Sequence, residues 1–429
     1  MKIMIMTLGT RGDVQPYVAL GKGLKERGHD VTVCTSGRFQ PFIEQYGLTY
    51  GYMDDAVIAL IDSEEVRAIM GGVTNLFGAV RAAFKMMGQV GPLQKKMIAD
   101  TWQTTEKANP DLIIFHPKTY GATHFAEKLG IPSILAPTIP QFAATAEFPA
   151  FGFPSLPIGG WYNRLSYQLT VRLTVMGVAQ YTNPWRKEHS LKKQSVGTDF
   201  MFNQAGEPIT VIHPISNHVI DVPTDWPEYI HAKGYWFLEE TADYSPPSDL
   251  IHFLENGPAP VYIGFGSMVG NNPQQLAQTI IEAIQKAGVR AVLAAGWGGL
   301  AVDQIPENIF LIDRAPHNWL FPQMAAVVHH GGAGTVAAGL KAGKPTLVCP
   351  YFGDQPYWGK QMQKLGVGPA PLLQKKLTAD KLAARLVELT TNASFAQKAA
   401  IIGEKLRQED GIGAAIGVIE SVLGERVMV

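Results

Sequence analysis

The sequence predicts an α/β chain of two domains, each built on a parallel β-sheet, and three observations carry that prediction. The first is an apolar run at residues 3–6, closed by a glycine-bearing loop (Thr7 to Asp13), then a helix-like segment from about 14 to 27 and a second apolar run at 31–35. Strand, glycine loop, helix, strand is a βαβ unit, whose strands run parallel beneath helices. The second is the return of the same order from about residue 260, where strand-like 261–265 is followed by Gly266, Ser267, a polar loop and a helix-like stretch at 274–287. The third is the acidic, proline-paired stretch 239–249 (EETADYSPPSD) between them, which has the composition of a linker. The domains are therefore drawn at 1–238 and 251–405, joined by 239–250, with 406–429 as a C-terminal helix returning to the first domain.

The other elements follow in order. Residues 112–115, after Asn109-Pro110-Asp111, and 133–136, after Ile131-Pro132, read as further strands of the first sheet. Residues 74–97 set Phe77, Val80, Phe84, Met87 and Val90 three and four apart, an apolar helical face. Residues 137–160 carry five prolines among aromatic and aliphatic side chains and read as loops around an apolar groove. In the second domain 289–295, 309–312, 326–329 and 346–349 complete the strand set.

Composition narrows the function. The 429 residues hold 36 Lys and Arg against 37 Asp and Glu, a formal charge of −1, with 46% hydrophobic and 17% charged residues. Nucleic-acid binding needs a basic excess that this chain lacks. Cys34 and Cys349, each in an apolar strand-like run, read as buried thiols in a reducing compartment. The opening apolar run is too short for a secretory signal, and the uncharged stretch 315–340 is interrupted by Pro316 and Pro322, so neither a leader nor a bilayer helix is expected. A cytoplasmic location follows as an expectation.

Two loops carry chemistry. Gly9 and Gly12 invite a dinucleotide fingerprint, but the loop reads G-T-R-G-D and the second strand ends in Thr35-Ser36 without the ribose-binding acid, so NAD is excluded. The loop instead offers Asp13 at a helix start beside the C-terminal edge of a parallel sheet, where open α/β folds bind ligands; the bland alternative is a helix N-cap. In the second domain His329-His330-Gly331-Gly332-Ala333-Gly334-Thr335 links a strand to a helix. Its glycines admit close backbone approach, and the opening N–H groups face an anion with the positive end of the helix dipole, as a diphosphate needs. No Lys follows the glycines, so this is not a Walker loop, and adjacent strand histidines point to opposite faces, which disfavours a metal site. Farther on, Asp354 and Gln355 pair a carboxylate with a carboxamide, groups that suit sugar hydroxyls, with turn capping as the plainer alternative.

The blocks GTRGDVQPYVALGKGLKERGHDV and APHNWLFPQMAAVVHHGGAGTVAAGLKAGKPTLVCPYFGDQPYW, about 300 residues apart, together resemble the sterol glucosyltransferase branch of the family 1 nucleotide-sugar glycosyltransferases. The sequence is also similar to bacterial antibiotic glycosyltransferases that share the GT-B fold. The resemblance implies two Rossmann-like domains facing across a cleft, the first binding an acceptor and the second a UDP-sugar. By it, Ala315 and His317 hold the uracil. His330, Ala333, Gly334 and Thr335 take the diphosphate, with Gly266 and Ser267 from a neighbouring loop and Trp297 near the nucleotide, and Asp354 and Gln355 bind the hexose. Thr10 and Arg11 face the donor, and Asp13 is the catalytic base. Plant members carry a histidine where this chain has Asp13 and a ribose-binding Glu where it has Ala338, differences that agree with the sterol and antibiotic branches.

The implied reaction is an inverting, metal-independent transfer of a hexose, glucose by the resemblance, from a UDP-sugar to the hydroxyl of a hydrophobic acceptor such as a sterol. No cofactor and no metal are expected. Phe84, Phe142, Phe148, Phe151 and Trp161 are the expected acceptor-binding residues, forming an apolar lip that is also an expected place for peripheral membrane contact. The alternatives are transfer to macrolide, flavonoid or glycopeptide aglycones, and a catalytically silent lipid- or sterol-binding protein of the same fold.

Overall fold

The computed structural model describes every residue except 62–75, 196, 204, 240–243, 266–272, 295–304, 352 and 428–429. The described residues divide into two compact units: residues 1–217, 221–238 and 410–429, and residues 218–220 and 239–409.

The first unit is built on seven parallel strands: β1 (Lys2–Met6), β2 (Asp30–Ser36), β3 (Thr49–Met53), β4 (Leu112–Phe115), β5 (Ser133–Leu135), β6 (Thr210–His213) and β7 (Ile230–Ala232), in the order β3-β2-β1-β4-β5-β6-β7. The sequence reading found β1, β2, β4 and β5 but not β3, β6 or β7. In β3 (TYGYM) Tyr52 is exposed, and β6 (TVIH) and β7 (IHA) are interrupted by polar residues, so no continuous apolar run marks any of the three. Buried runs such as LIIF in β4 are legible because both faces of a parallel sheet are covered.

The helix after β1, α1 (Arg11–Glu26), starts three residues earlier than its apolar pattern suggests, because Thr10 and Asp13 close a capping box at its start. The helix Gly411–Val427 packs on α1. Ala415, Ile416, Ile419 and Leu423 join Leu20 and Leu24 in one core, and Arg27 and Glu420 pair at 2.9 Å on its rim. A Cβ on Gly23 would come within 2.6 Å of the Ile412 side chain, so this contact needs glycine. The loops expected over 137–160 end at Gly160, where the helix Gly160–Glu188, which the sequence reading did not assign, begins.

The second unit carries five parallel strands: β8 (Val261–Gly264), β9 (Ala291–Ala294), β10 (Ile309–Ile312), β11 (Ala326–His329) and β12 (Thr346–Val348), in the order β10-β9-β8-β11-β12. Each sheet has a point where consecutive connections turn to opposite sides, β1/β4 in the first and β8/β11 in the second. Open α/β sheets bind ligands beyond the carboxyl ends of the strands at such points. Cys34 and Cys349 are buried free thiols, and burial pushes Cys349 up to about 12. Among the described residues no helix is long and apolar enough to cross a membrane.

Candidate functional site

In the first unit the switch point brings the loops after β1 and β4 together. Gly9, at φ +147°, lies directly beneath the Asp13 carboxylate: a Cβ there would stand 2.1 Å from Oδ2. One carboxylate oxygen, Oδ2, accepts the Thr10 backbone N–H at 2.8 Å and the Thr10 hydroxyl at 3.2 Å. The other, Oδ1, accepts from the Lys118 ammonium at 2.9 Å and lies 3.6 Å from His116 Nε2. Arg11 is folded onto its own unit, its guanidinium 4.2 Å over the Phe42 ring and its Nε donating to Gln15.

His116 and Lys118 went unread in the sequence. Their signal was position: they follow a fully buried parallel strand directly, at the edge where such sheets hold ligands. The His116 N–H donates to the Met6 carbonyl at 2.8 Å, which ties the β4 loop to β1. Its ring is buried against Tyr17, and its Nδ1 accepts the Lys118 backbone N–H at 3.1 Å, so the proton of the neutral ring is assigned to Nε2, toward Asp13.

The electrostatics follow from burial and that lysine. Burial pushes the Asp13 carboxyl up, but the Lys118 charge, the His116 interaction and the Lys118 and Thr10 hydrogen bonds outweigh it, and the net shift is downward. Burial drives His116 down to about 4 despite the attraction of Asp13, with Lys118 adding to the fall. A ring that is neutral at pH 7 brings no full charge, so Lys118 is the cation that keeps Asp13 ionised.

In the second unit the loop after β11 leads into the helix Ala333–Lys341, whose N-cap is Gly332, with no side-chain cap. Its first N–H groups therefore have neither an intrahelical acceptor nor a capping side chain. The glycines differ in kind. Gly331 (φ +99°) and Gly332 are demanded by packing, since a Cβ would meet Val348 at 2.6 Å or the His330 ring at 2.7 Å. A Cβ on Gly334 would meet nothing within 4 Å, so the backbone at the helix start borders open space. His329 is fully buried, and its Nδ1 accepts the Gly331 N–H at 2.9 Å. His330, held down to about 4 by burial, has a neutral ring whose Nδ1 is buried without a hydrogen-bond partner.

His317 opens the helix His317–Leu320 and stacks on Phe321 at 4.3 Å, and Ala315 packs against the same cluster. Asp354 and Gln355 are partly engaged in the fold itself. Asp354 Oδ2 accepts the indole N–H of the buried Trp358 at 2.9 Å, and Gln355 Oε1 accepts the Tyr351 N–H at 2.7 Å. Asp354 makes no side-chain cap bond at the helix it precedes, whereas Gln355 bonds back to the turn at Tyr351. Gly266, Ser267 and Trp297 lie outside the described residues.

The expected acceptor residues differ in exposure. Phe142 is 6% exposed and packs edge-on against Phe200 in the core, Phe148 and Phe151 are half-buried, and Trp161 is 64% exposed on a helix surface. The Phe84 side chain lies outside the described residues. Among the described residues, a cavity of about 360 Å³ is lined by Gly91, Pro92, Lys95, Gln180 and Tyr181. Among the described residues no group of three or more His, Cys, Asp or Glu is arranged to hold a metal ion.

Residues 3–147 match the glycosyltransferase family 28 N-terminal domain, and residues 288–410 match the C-terminal domain of the erythromycin biosynthesis protein CIII-like family. A sterol 3-beta-glucosyltransferase of Aspergillus terreus is 35% identical over 98% of this chain. The chain has the two-domain α/β fold of the GT-B glycosyltransferases. It spans 30% of the length of that Aspergillus protein. The glycosyltransferase of kitacinnamycin superposes with a TM-score of 0.72 at 20% identity, covering 98% of each chain. The spinosyn rhamnosyltransferase SpnG complexed with thymidine diphosphate superposes at 0.67 with 16% identity, covering 98% of this chain and 100% of the other. Asp13, His116 and Lys118 fall within the N-terminal match, and the stretch from Ala315 to Gln355 falls within the C-terminal one.

Proposed function

We propose that the chain transfers a hexose, glucose by resemblance, from a UDP-sugar to the hydroxyl of a hydrophobic acceptor such as a sterol, with inversion and without a metal. The observation that carries this reading is the uncapped helix start at Gly332 to Thr335, where Gly334 leaves room for a ligand to approach the backbone. A diphosphate suits that place, because the N–H groups and the helix dipole offset the charge that develops on the leaving phosphate. His330 lies beside it as a neutral hydrogen-bonding group. Thr335 adds a hydroxyl, while Ala315 and His317 take the uracil and Asp354 and Gln355 the hexose. The SpnG complex with thymidine diphosphate and the name of the Aspergillus relative support the donor and acceptor classes.

Asp13 is the general base. As the acceptor oxygen bonds to the anomeric carbon, its proton passes to the Asp13 carboxylate, and the bond from that carbon to the β-phosphate oxygen breaks to release UDP. Thr10 fixes Oδ2, so the acceptor hydroxyl reaches Oδ1 and shares it with Lys118. The neutral Nε2–H of His116 faces the same oxygen. An ion-paired carboxylate is a weak base, so proton transfer lags behind bond formation until the acceptor oxygen has acquired positive charge.

The test is mass spectrometry of the protein incubated with UDP-glucose and, in turn, sterols, diacylglycerol, flavonoids and macrolides, with Asp13→Asn beside it. A one-hexose gain on a sterol that is lost in Asp13→Asn, with UDP binding kept, is the expected result. A gain on macrolides alone moves the acceptor class. Transfer retained in Asp13→Asn removes the base, and absence of both transfer and UDP binding leaves a silent binding protein.

A further inference from the structure

The helix Gly160–Glu188 is apolar on two opposite faces. One of them, with Tyr167, Val171 and Val175, is buried in the first unit. The N-terminal turns on that side are tied down by polar contacts. Asn163 donates to the Ala146 carbonyl at 2.7 Å, Ser166 Oγ accepts the Ala150 N–H at 2.7 Å, and Arg164 pairs with Asp225 at 2.8 Å. Asp225 also accepts from the Thr145 hydroxyl and the Ala146 N–H. The opposite face is thereby held at a fixed orientation.

That outer face carries Trp161 (64% exposed), Leu165, Leu169, Leu173 (58%) and Met176 (55%), at steps of four, four, four and three. Steps of this size keep all five on one line, about 22 Å long at 1.5 Å per residue. Leu156 and Ile158, just before the helix, are exposed as well. Single exposed apolar residues are ordinary on a protein surface, whereas an aligned row is the mark of an interaction face.

Charge selects the occupant. From residue 148 to 187 the chain has no Asp or Glu and four cations, Arg164, Arg172, Arg186 and Lys187, in a protein of net charge −1. Arg186 is buried in an ion pair with Glu127, and Arg164 is taken by Asp225. Arg172 is exposed beside Leu173, and at and beyond the C-terminal end of the helix Lys187, Lys192 and Lys193 are exposed together with the single acid Glu188. An apolar row with a tryptophan at one end, Arg172 along it and lysines beyond its other end matches the headgroup boundary of an anionic bilayer, where the indole sits among headgroups and the cations meet lipid phosphates.

We propose that this helix face docks the protein on the surface of a bilayer containing anionic lipid. The proposal stands apart from the donor and acceptor assignments, since it concerns a surface and not the transfer reaction. Flotation with sterol-free vesicles of phosphatidylcholine, with and without about 30% phosphatidylglycerol, and with no nucleotide sugar present, tests it. The wild-type protein floats with the anionic vesicles. The variant Trp161→Ser/Leu169→Gln/Leu173→Gln/Met176→Gln floats about tenfold less at an unchanged melting temperature. Arg172→Glu lowers binding to the anionic vesicles alone, and Leu173→Glu serves as a single substitution at an exposed position, lowering flotation at an unchanged melting temperature, should the fourfold variant fold poorly. Failure of the wild type to float, or flotation of the Leu173→Glu and fourfold variants equal to that of the wild type, overturns the proposal. So does a wild-type dimer that the variants convert to monomer without any vesicle binding, which would assign the face to a second copy of the chain.

Discussion

Asp13 shows how one side chain is given two jobs by its neighbours. Its Oδ2 closes the capping box that begins α1, while Oδ1 meets a lysine three residues beyond β4. The carboxylate remains 16% exposed, so it is reachable even though its hydrogen bonds are largely satisfied. Lys118 governs its basicity. Replacing Lys118 by Met leaves burial as the dominant influence on the carboxyl, and its pKa rises. If Asp13 is the base, the acid limb of the kcat/KM profile then moves to higher pH. An acid limb that stays in place dissociates Asp13 from the rate, whatever happens to kcat. Asp13 was legible from sequence as an acid at a helix start beside the C-terminal edge of a parallel sheet, where open α/β folds bind ligands, and its role as base came from the resemblance. Lys118 was not, because it lies 105 residues away and only strand order brings it near.

At the scale of elements, the two glycine types in the loop after β11 respond differently to one methyl group. Gly331→Ala sets a side chain at φ +99° against Val348 and costs about 1–3 kcal/mol, read as a lower denaturant midpoint. Gly334→Ala fills open space at a helix start, leaves the midpoint where it was, and weakens UDP-glucose binding about tenfold, or about 1.4 kcal/mol. Calorimetric titration distinguishes the two, and unchanged affinity in Gly334→Ala removes the helix start from the donor site. The C-terminal helix makes a separate prediction. Ile419 is fully buried between Gly411–Val427 and α1, so Ile419→Ala costs about 2–5 kcal/mol, whereas an unchanged urea midpoint would mean that this helix frays independently. Element identity was legible wherever apolar runs were continuous. The helix Gly160–Glu188 was missed over its length because it is apolar on both faces and so carries no clean 3.6-residue contrast.

For the whole molecule, buried histidines set the response to acid. Burial holds His116 and His213 down to about 4 and His124 to about 3, the last with help from Arg186. In the unfolded chain each titrates near the ordinary value of about 6.5. Between those values the unfolded state binds more protons than the native one, so stability falls as pH falls. It is fully present above about 6.5 and is lost progressively toward pH 4. The melting temperature is therefore expected to drop steadily from pH 7 to pH 4.5. A level melting temperature would mean that these rings take up protons within the fold.

The sequence by itself determined two parallel-sheet α/β units, the acid after the first strand and the glycine-rich start of a helix in the second. All of these are local: an apolar run buried on both faces, or a glycine held by its own turn, is written in adjacent residues. Only the tertiary structure decided what stands beside them. The strand order β3-β2-β1-β4 sets Lys118 and His116 against Asp13, and packing turns Gln355 toward Tyr351 and buries Phe142. The outer face of one helix is left apolar and uncovered by the same packing. Such neighbours depend on contacts between residues far apart in the chain, and no window of sequence contains them.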